Sequence, residues 1–75
     1  MAYSHSDLRV VDQRLAHARE RLEEQREVIH RLAIGRQDTS TAEAVFKTMR
    51  RTLESFEADR RAIEDEIFAA RAYPS

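Results

Sequence analysis

The sequence predicts an all-α fold, an antiparallel hairpin of two long helices that pack on each other as in a coiled coil. Two ladders of apolar residues, each advancing by alternating steps of three and four, are the first observation behind this prediction. The second is a short polar segment at residues 35–40 that separates the ladders and contains the single glycine of the chain. The third is that each apolar residue of the first ladder faces a residue of the second ladder when the chain folds back on itself as an antiparallel hairpin.

Length and composition restrict the chain to one small domain. Its 75 residues include no cysteine, so neither a disulfide nor a thiolate–metal site can stabilise it. We therefore expect oligomerisation to bury the surface that so short a chain cannot bury alone. Charged residues make up 36% of the chain but the net charge is only −1, which is typical of solvated helix faces.

The hydropathy and the N-terminus of the chain indicate its location. No apolar run approaches the roughly 20 residues that cross a bilayer, and the first residues lack the basic start and apolar core of a signal peptide. We therefore expect a cytoplasmic protein that binds no membrane. Every basic residue except Lys47 is an arginine, which we interpret as the coding bias of a GC-rich bacterial genome.

The first helix is predicted from about residue 7 to residue 34, after a flexible leader at residues 1–6. Ser4 or Ser6 can cap it, and Asp7 is favourable near the positive end of the helix dipole. The helix ends before Gly35, which we expect to adopt the left-handed conformation that often follows a helix.

The turn is predicted at residues 35–40 and is short enough to make the two helices antiparallel neighbours. Asp38, Thr39 and Ser40 are each competent to cap the second helix. Ser40 and Glu43 also have the spacing of a capping box, in which the two residues satisfy each other's free amide donors. The second helix is then predicted at residues 41–72, followed by a tail at residues 73–75 in which Pro74 prevents further helix.

The pairing of the ladders defines a hairpin seam. In an antiparallel hairpin the numbers of facing residues have a nearly constant sum. Successive layers alternate between sums of 74 and 75: Leu32 with Ala42, Ile29 with Phe46, Gln25 with Met49 and Leu22 with Leu53. The residues predicted for the seam are Leu8, Val11, Leu15, Leu22, Ile29, Leu32, Phe46, Met49, Leu53, Phe56, Ile63 and Ile67.

Two polar residues, Gln25 and Arg60, stand in the ladders where apolar side chains are expected. Polar seam residues can fix the register of a coiled coil, and the long stem of Arg60 can carry its charge to solvent. The alternative is that the two residues mark a layer that faces a partner or a second copy.

The sequence contains no arrangement typical of an active site. His5, His17 and His30 are spaced too widely for any two to lie on adjacent turns of one helix. A Gly-rich phosphate loop is also absent. We therefore predict a protein that is not an enzyme, with no catalytic residue, no metal, no cofactor and no small-molecule substrate.

Apolar residues outside the seam predict a contact surface. Val10, Val28, Val45 and Phe68 would remain wet in a monomeric hairpin, and exposed apolar patches mark interfaces. We expect a second copy to cover them, which gives a homodimer in the form of a four-helix bundle. A helix of another protein is the competing occupant of the same surface.

A basic patch at Lys47, Arg50 and Arg51 supports an alternative function, a small regulator that binds nucleic acid. Nucleic-acid-binding domains are usually clearly basic, whereas acidic residues here interleave the bases. The composition therefore favours a protein–protein interaction module over nucleic-acid binding.

The stretch around the turn has the pattern Gly-x-x-Asp-Thr-x-x-Ala-Glu, formed by Gly35, Asp38, Thr39, Ala42 and Glu43. With the flanking ladders, it resembles a family of small helical-hairpin proteins common in alphaproteobacteria, and the similarity covers about residues 7–68. That family has no assigned activity. Similar hairpins occur beside or within two-component signalling proteins, so the resemblance implies an accessory role in bacterial signalling and no catalytic mechanism.

Overall fold

The computed structural model describes residues 5–72, which form two α-helices, α1 (His5–Ile34) and α2 (Ser40–Ala72). The helices lie side by side along a rod of 62 × 16 × 15 Å. The predicted all-α helical hairpin is confirmed. α1 is already helical at His5, inside the predicted leader, so Ser6 lies within the helix and does not cap it. Ser4 and the tail at residues 73–75 lie outside the described residues.

The end of α1 is a Schellman motif, in which two hydrogen bonds, one nested inside the other, close the last helical turn. The amide of Arg36 donates to the carbonyl of Ala33 at 3.1 Å, and the amide of Gln37 donates to the carbonyl of Leu32 at 2.9 Å. These bonds place Arg36 at the position that requires a left-handed backbone, and its φ is 55°.

The prediction that Gly35 adopts the left-handed conformation was wrong. Its φ is not positive, and its amide still donates to the carbonyl of Arg31 at 3.0 Å, as in a regular helix. α1 ends at Ile34, as predicted, and the left-handed position falls one residue after the glycine, at Arg36. Arg36 accepts a backbone conformation that costs a side-chain-bearing residue roughly 1 kcal/mol or more.

The start of α2 is capped by Asp38. Its carboxylate oxygen Oδ1 accepts hydrogen bonds from the hydroxyl of Ser40 at 2.5 Å and from the amide of Ser40 at 2.9 Å. The carbonyl of Thr39 accepts from the amide of Glu43 at 2.9 Å, so α2 begins at Ser40. The predicted Ser40–Glu43 capping box does not form, because Ser40 is already the first residue of α2 and the amide that its hydroxyl oxygen would accept from, that of Glu43, donates to the carbonyl of Thr39.

The core of the hairpin is the seam between the two helices. Val11, Leu15, Ala42 and Ile63 are buried, and Leu15 is only 2% exposed. All the other residues predicted for the seam are half-buried. One neighbouring helix can cover only one stripe of each helix, so the flanks of these side chains remain open to solvent.

Both polar residues of the seam make contacts between the helices. Gln25 Nε2 donates to the carbonyl of Ala42 at 2.9 Å. Arg60 Nε donates to Asp12 Oδ1 at 2.5 Å, and the same guanidinium pairs with Glu64. Asp12 belongs to α1 and Glu64 to α2, and both lie on the same flank of the seam. The guanidinium of Arg60 bridges these two carboxylates at the surface.

Candidate interaction surface

A groove of about 390 Å³ runs along one flank of the seam, near the middle of the hairpin. Its floor consists of seam side chains and its walls come from the flanking positions of both helices. The residues that line it are Arg14, His17, Ala18 and Arg21 of α1, and Thr48, Met49, Thr52 and Phe56 of α2.

The groove exists because a small residue stands in the seam. Ala18 occupies a ladder position with only a methyl group, which leaves space above the half-buried side chains of Met49 and Phe56. On the wall from α2, the hydroxyls of Thr48 and Thr52 donate back to carbonyls one turn earlier, each at 3.2 Å. Because these hydroxyl hydrogens are already used, the groove offers mainly apolar contact at its floor.

The rim of the groove is basic. Arg14 and Arg21 lie on the wall from α1, with His17 between them. Within residues 5–72, neither arginine takes part in an ion pair. The rim therefore presents two unpaired positive charges beside an apolar floor, a combination that suits a partner with acidic side chains next to apolar ones.

Three of the four predicted contact residues lie on the same flank as this groove. A separation of seven residues returns to the same side of a helix in a heptad pattern. Val28 follows Arg21 by seven residues, Val45 precedes Thr52 by seven, and Val10 precedes His17 by seven. We call this flank the groove face; its residues are Asp7, Val10, Arg14, His17, Arg21, Glu24, Val28 and Arg31 of α1, and Val45, Thr48, Thr52, Ser55, Asp59, Ala62, Glu66 and Ala69 of α2.

The exposure of these valines shows that folding leaves them partly uncovered. Val10 is 46% exposed and Val45 is 40% exposed, whereas Val28 is half-buried. The groove face thus combines open apolar side chains near the turn with others near the opposite end of the hairpin.

Phe68, the fourth predicted residue, is 72% exposed but lies on the other flank. It follows Arg61 by seven residues, and Arg61 lines a shallow cleft there with Arg19, Glu57 and Glu64. The four residues therefore do not form one surface. The spacing of the sequence contained this information, because Phe68 occupies a different heptad position from the three valines.

The basic patch of the nucleic-acid alternative is partly neutralised within the chain. Arg50 Nε lies 3.5 Å from Glu54 Oε1, and these side chains are on successive turns of α2. Arg26 lies close to this patch, and its Nη1 is 3.6 Å from Glu23 Oε2. The Arg26 guanidinium carbon also lies 5.8 Å from the centre of the Phe46 ring. Lys47 and Arg51 are exposed. A phosphate would therefore compete with internal carboxylates for part of this patch.

No cluster of three or more histidine, aspartate and glutamate side chains that could hold a metal ion occurs in residues 5–72. Glu27 and His30 have the Glu-x-x-His spacing of metal-binding bundles, but both are exposed to solvent. Within the same described region, neither helix is long and apolar enough to cross a membrane.

Comparison with known proteins gives no match: no family model, no curated protein and no solved structure matches the chain. Function must therefore be argued from the groove face and the chemistry of its side chains.

Proposed function

We propose that this chain is a non-enzymatic protein–protein interaction module of the bacterial cytoplasm, which recognises helices through its groove face and associates with itself. The observation that carries the proposal is the groove face, where exposed valines flank an apolar groove with unpaired arginines at its rim. Such a surface on a two-helix protein is typical of an interface.

The half-buried seam supports self-association in particular. Among the described residues, four hydrophobic side chains are buried, so the hairpin by itself has little of the close-packed interior that stabilises a small domain. Packing a second pair of helices on the groove face would complete a four-helix bundle and cover the open flank of the seam.

An accessory role in bacterial signalling is part of the proposal and is supported by the resemblance around the turn. Purification of the protein from cells with its partners tests this role. Enrichment of a sensor kinase or a response regulator is expected, and a set of partners without either class would contradict it.

Sedimentation equilibrium over a wide range of protein concentrations tests self-association. We expect a reversible dimer, and we expect Val45→Asp to shift the equilibrium toward monomer because a buried carboxylate loses its hydration. Phe68→Asp is the matched control on the other flank and should leave the equilibrium unchanged. A folded protein that stays monomeric at the highest concentration would show that self-association is wrong.

A further inference from the structure

We propose that the groove face of one copy packs on the groove face of a second copy with both turns at the same end of the dimer. In this arrangement the two-fold axis runs parallel to the helices, and α1 of each copy lies over α2 of the other. The inference rests on the proposed self-association and adds to it the face, the orientation and the residues that pair.

The exposed area of the chain supports a second copy as the occupant. The hairpin exposes 6184 Å², whereas a compact monomer of 8.8 kDa exposes about 4,800 Å². The difference of roughly 1,400 Å² exceeds the about 800 Å² that each partner buries in a stable interface. Because the rod is 62 Å long, an occupant that covers the whole groove face must be as long as the hairpin itself, which a second copy is.

The apolar layers of the groove face match in this orientation. The pairing of the helices places Val28 and Val45 at the same level of one hairpin, near the turn, since their numbers have the same sum as those of Arg21 and Thr52 across the groove. A two-fold axis parallel to the helices brings Val45 of the second copy over Val28 and Val28 of the second copy over Val45. The four valines then form one apolar layer, which removes the exposure of Val45 in the free chain.

One pair of opposite charges on the groove face, Arg14 with Asp59, comes into register in the same orientation. The acidic Asp7 and Glu66 share a level at the open end and oppose it there. Asp59 follows Thr52 by seven residues, so it lies on the groove face, and it is exposed. It stands at the level of Arg14 on α1. When α1 lies over α2 of the second copy, each Arg14 meets Asp59 of the other copy, so the dimer contains this pair twice. Opposite charges in register favour this arrangement over alternatives.

Side-chain size favours the same pairing of helices. On the groove face α2 carries the small residues Thr48, Ser55 and Ala62, whereas α1 carries the long side chains of Arg14 and Arg21. Placing α1 over α2 lets long side chains lie over small ones.

The opposite orientation, with the turns at opposite ends, places α1 over α1. Because Arg21 lies near the middle of α1, it would approach its own copy close to the two-fold axis. Like charges in register at an interface are unfavourable. The groove face therefore favours the orientation with both turns at the same end.

Distance measurement between spin labels tests the orientation. The chain has no cysteine, so Gln37→Cys provides a single labelling site in the turn, where the side chain is exposed. With both turns at one end, the labels should lie within about two helix diameters, roughly 20–25 Å. Labels separated by nearly the 62 Å length of the rod would overturn the orientation and leave self-association standing.

A charge exchange tests the pair that the orientation predicts. Arg14→Glu and Asp59→Arg should each raise the dimer dissociation constant by about tenfold, and the double variant should restore most of the affinity. Arg9→Glu makes the same charge change on the other flank and should have little effect. Far-UV circular dichroism checks that every variant remains helical. No rescue in the double variant would overturn the proposed pair, and a wild-type chain that never dimerises would overturn both the orientation and the self-association.

Discussion

Gln25 Nε2 donates a 2.9 Å hydrogen bond to the backbone carbonyl of Ala42, which joins α1 to the first turn of α2. The carbonyl is an acceptor at a fixed height along α2, and Ala42 is buried. A shift of α2 by one residue would move this carbonyl by about 1.5 Å along the axis and by 100° around it. The bond therefore adds a directional contact to the apolar layers in fixing the register of the hairpin next to the turn.

Replacement of Gln25 by glutamate should destabilise the hairpin by about 1–3 kcal/mol near neutral pH, because a carboxylate cannot donate to the carbonyl of Ala42. Acidification should reduce the loss, since a protonated carboxyl can donate again. Urea unfolding at fixed protein concentration measures both effects. Gln13→Glu is the control at an exposed position, and an equal loss in the two variants would contradict the role of the bond.

The turn provides a second prediction. Gly35→Ala should stabilise the chain by about 0.4–1 kcal/mol, because the φ of Gly35 is not positive and alanine restricts the unfolded chain. An added Cβ would lie 3.5 Å from the carbonyl oxygen of Arg31, which is ordinary contact. Arg36→Gly should also stabilise, by about 1 kcal/mol, because it removes the side chain from a left-handed position. Thermal unfolding measures both, and a destabilising Gly35→Ala would mean that glycine is required there.

How far the sequence predicts this protein depends on the kind of information that each feature needs. The heptad spacing decides which residues can enter the seam, because burial repeats with the helix period, and all the predicted seam residues are buried or half-buried. The end of α1 at residue 34 was predicted correctly. The left-handed residue was misplaced by one, because a single glycine signals a helix end without specifying which of two adjacent residues adopts that conformation. Which of Gly35 and Arg36 adopts the left-handed backbone is decided by the hydrogen bonds that the amides of Arg36 and Gln37 donate to α1.

The contacts of long polar side chains were the part that the sequence could not predict. The pairing of the ladders brings Asp12 of α1 opposite Glu64 of α2, and two carboxylates at this distance alone would repel each other. The pairing does not specify that the guanidinium of Arg60, a seam residue, turns outward and pairs with both. The rotamer of a long side chain depends on all the residues packed around it in three dimensions. A heptad position depends only on the spacing of residues along the sequence. The sequence contained one weak indication of the groove. Ala18 places a small side chain at a ladder position where most residues are large.

The ion pairs of Arg60 lead to a third prediction. Arg60→Gln should leave the carboxylates of Asp12 and Glu64 facing each other without a positive charge, which should cost about 1 kcal/mol at low salt. Added salt should recover most of this loss, since it screens exposed charges. Urea unfolding at low and high ionic strength gives the comparison. Arg61→Gln removes a neighbouring charge that forms no ion pair in residues 5–72, and its effect should be smaller.

Asp12→Asn in the background of Arg60→Gln tests the cause of that loss. If the two carboxylates repel each other, neutralising one of them should restore part of the stability at low salt. A loss that is independent of salt and is not relieved by Asp12→Asn would show instead that Arg60 acts through the packing of its stem in the seam.

The cap of α2 makes the stability of the hairpin depend on pH. The hydroxyl of Ser40 and then its amide donate to the carboxylate of Asp38, and these bonds hold the pKa of Asp38 below its ordinary value. A carboxyl whose pKa is lowered by folding stabilises the folded chain fully above its unfolded pKa. The contribution is lost as the pH falls through the lower pKa of the folded chain.

Asp38→Asn isolates this contribution, because the amide oxygen can still accept the two hydrogen bonds but carries no charge. The wild type should be more stable than the variant at neutral pH, and the gap should close on acidification below the ordinary aspartate pKa. Denaturant unfolding from neutral to strongly acidic pH measures the gap. Asp65→Asn, an exposed change inside α2, corrects for the general loss of carboxylate charge. The ionised carboxylate of Asp38 also interacts favourably with the positive end of the helix dipole. If the difference in stability between the wild type and Asp38→Asn stayed constant down to strongly acidic pH, the Asp38 charge would not stabilise the start of α2.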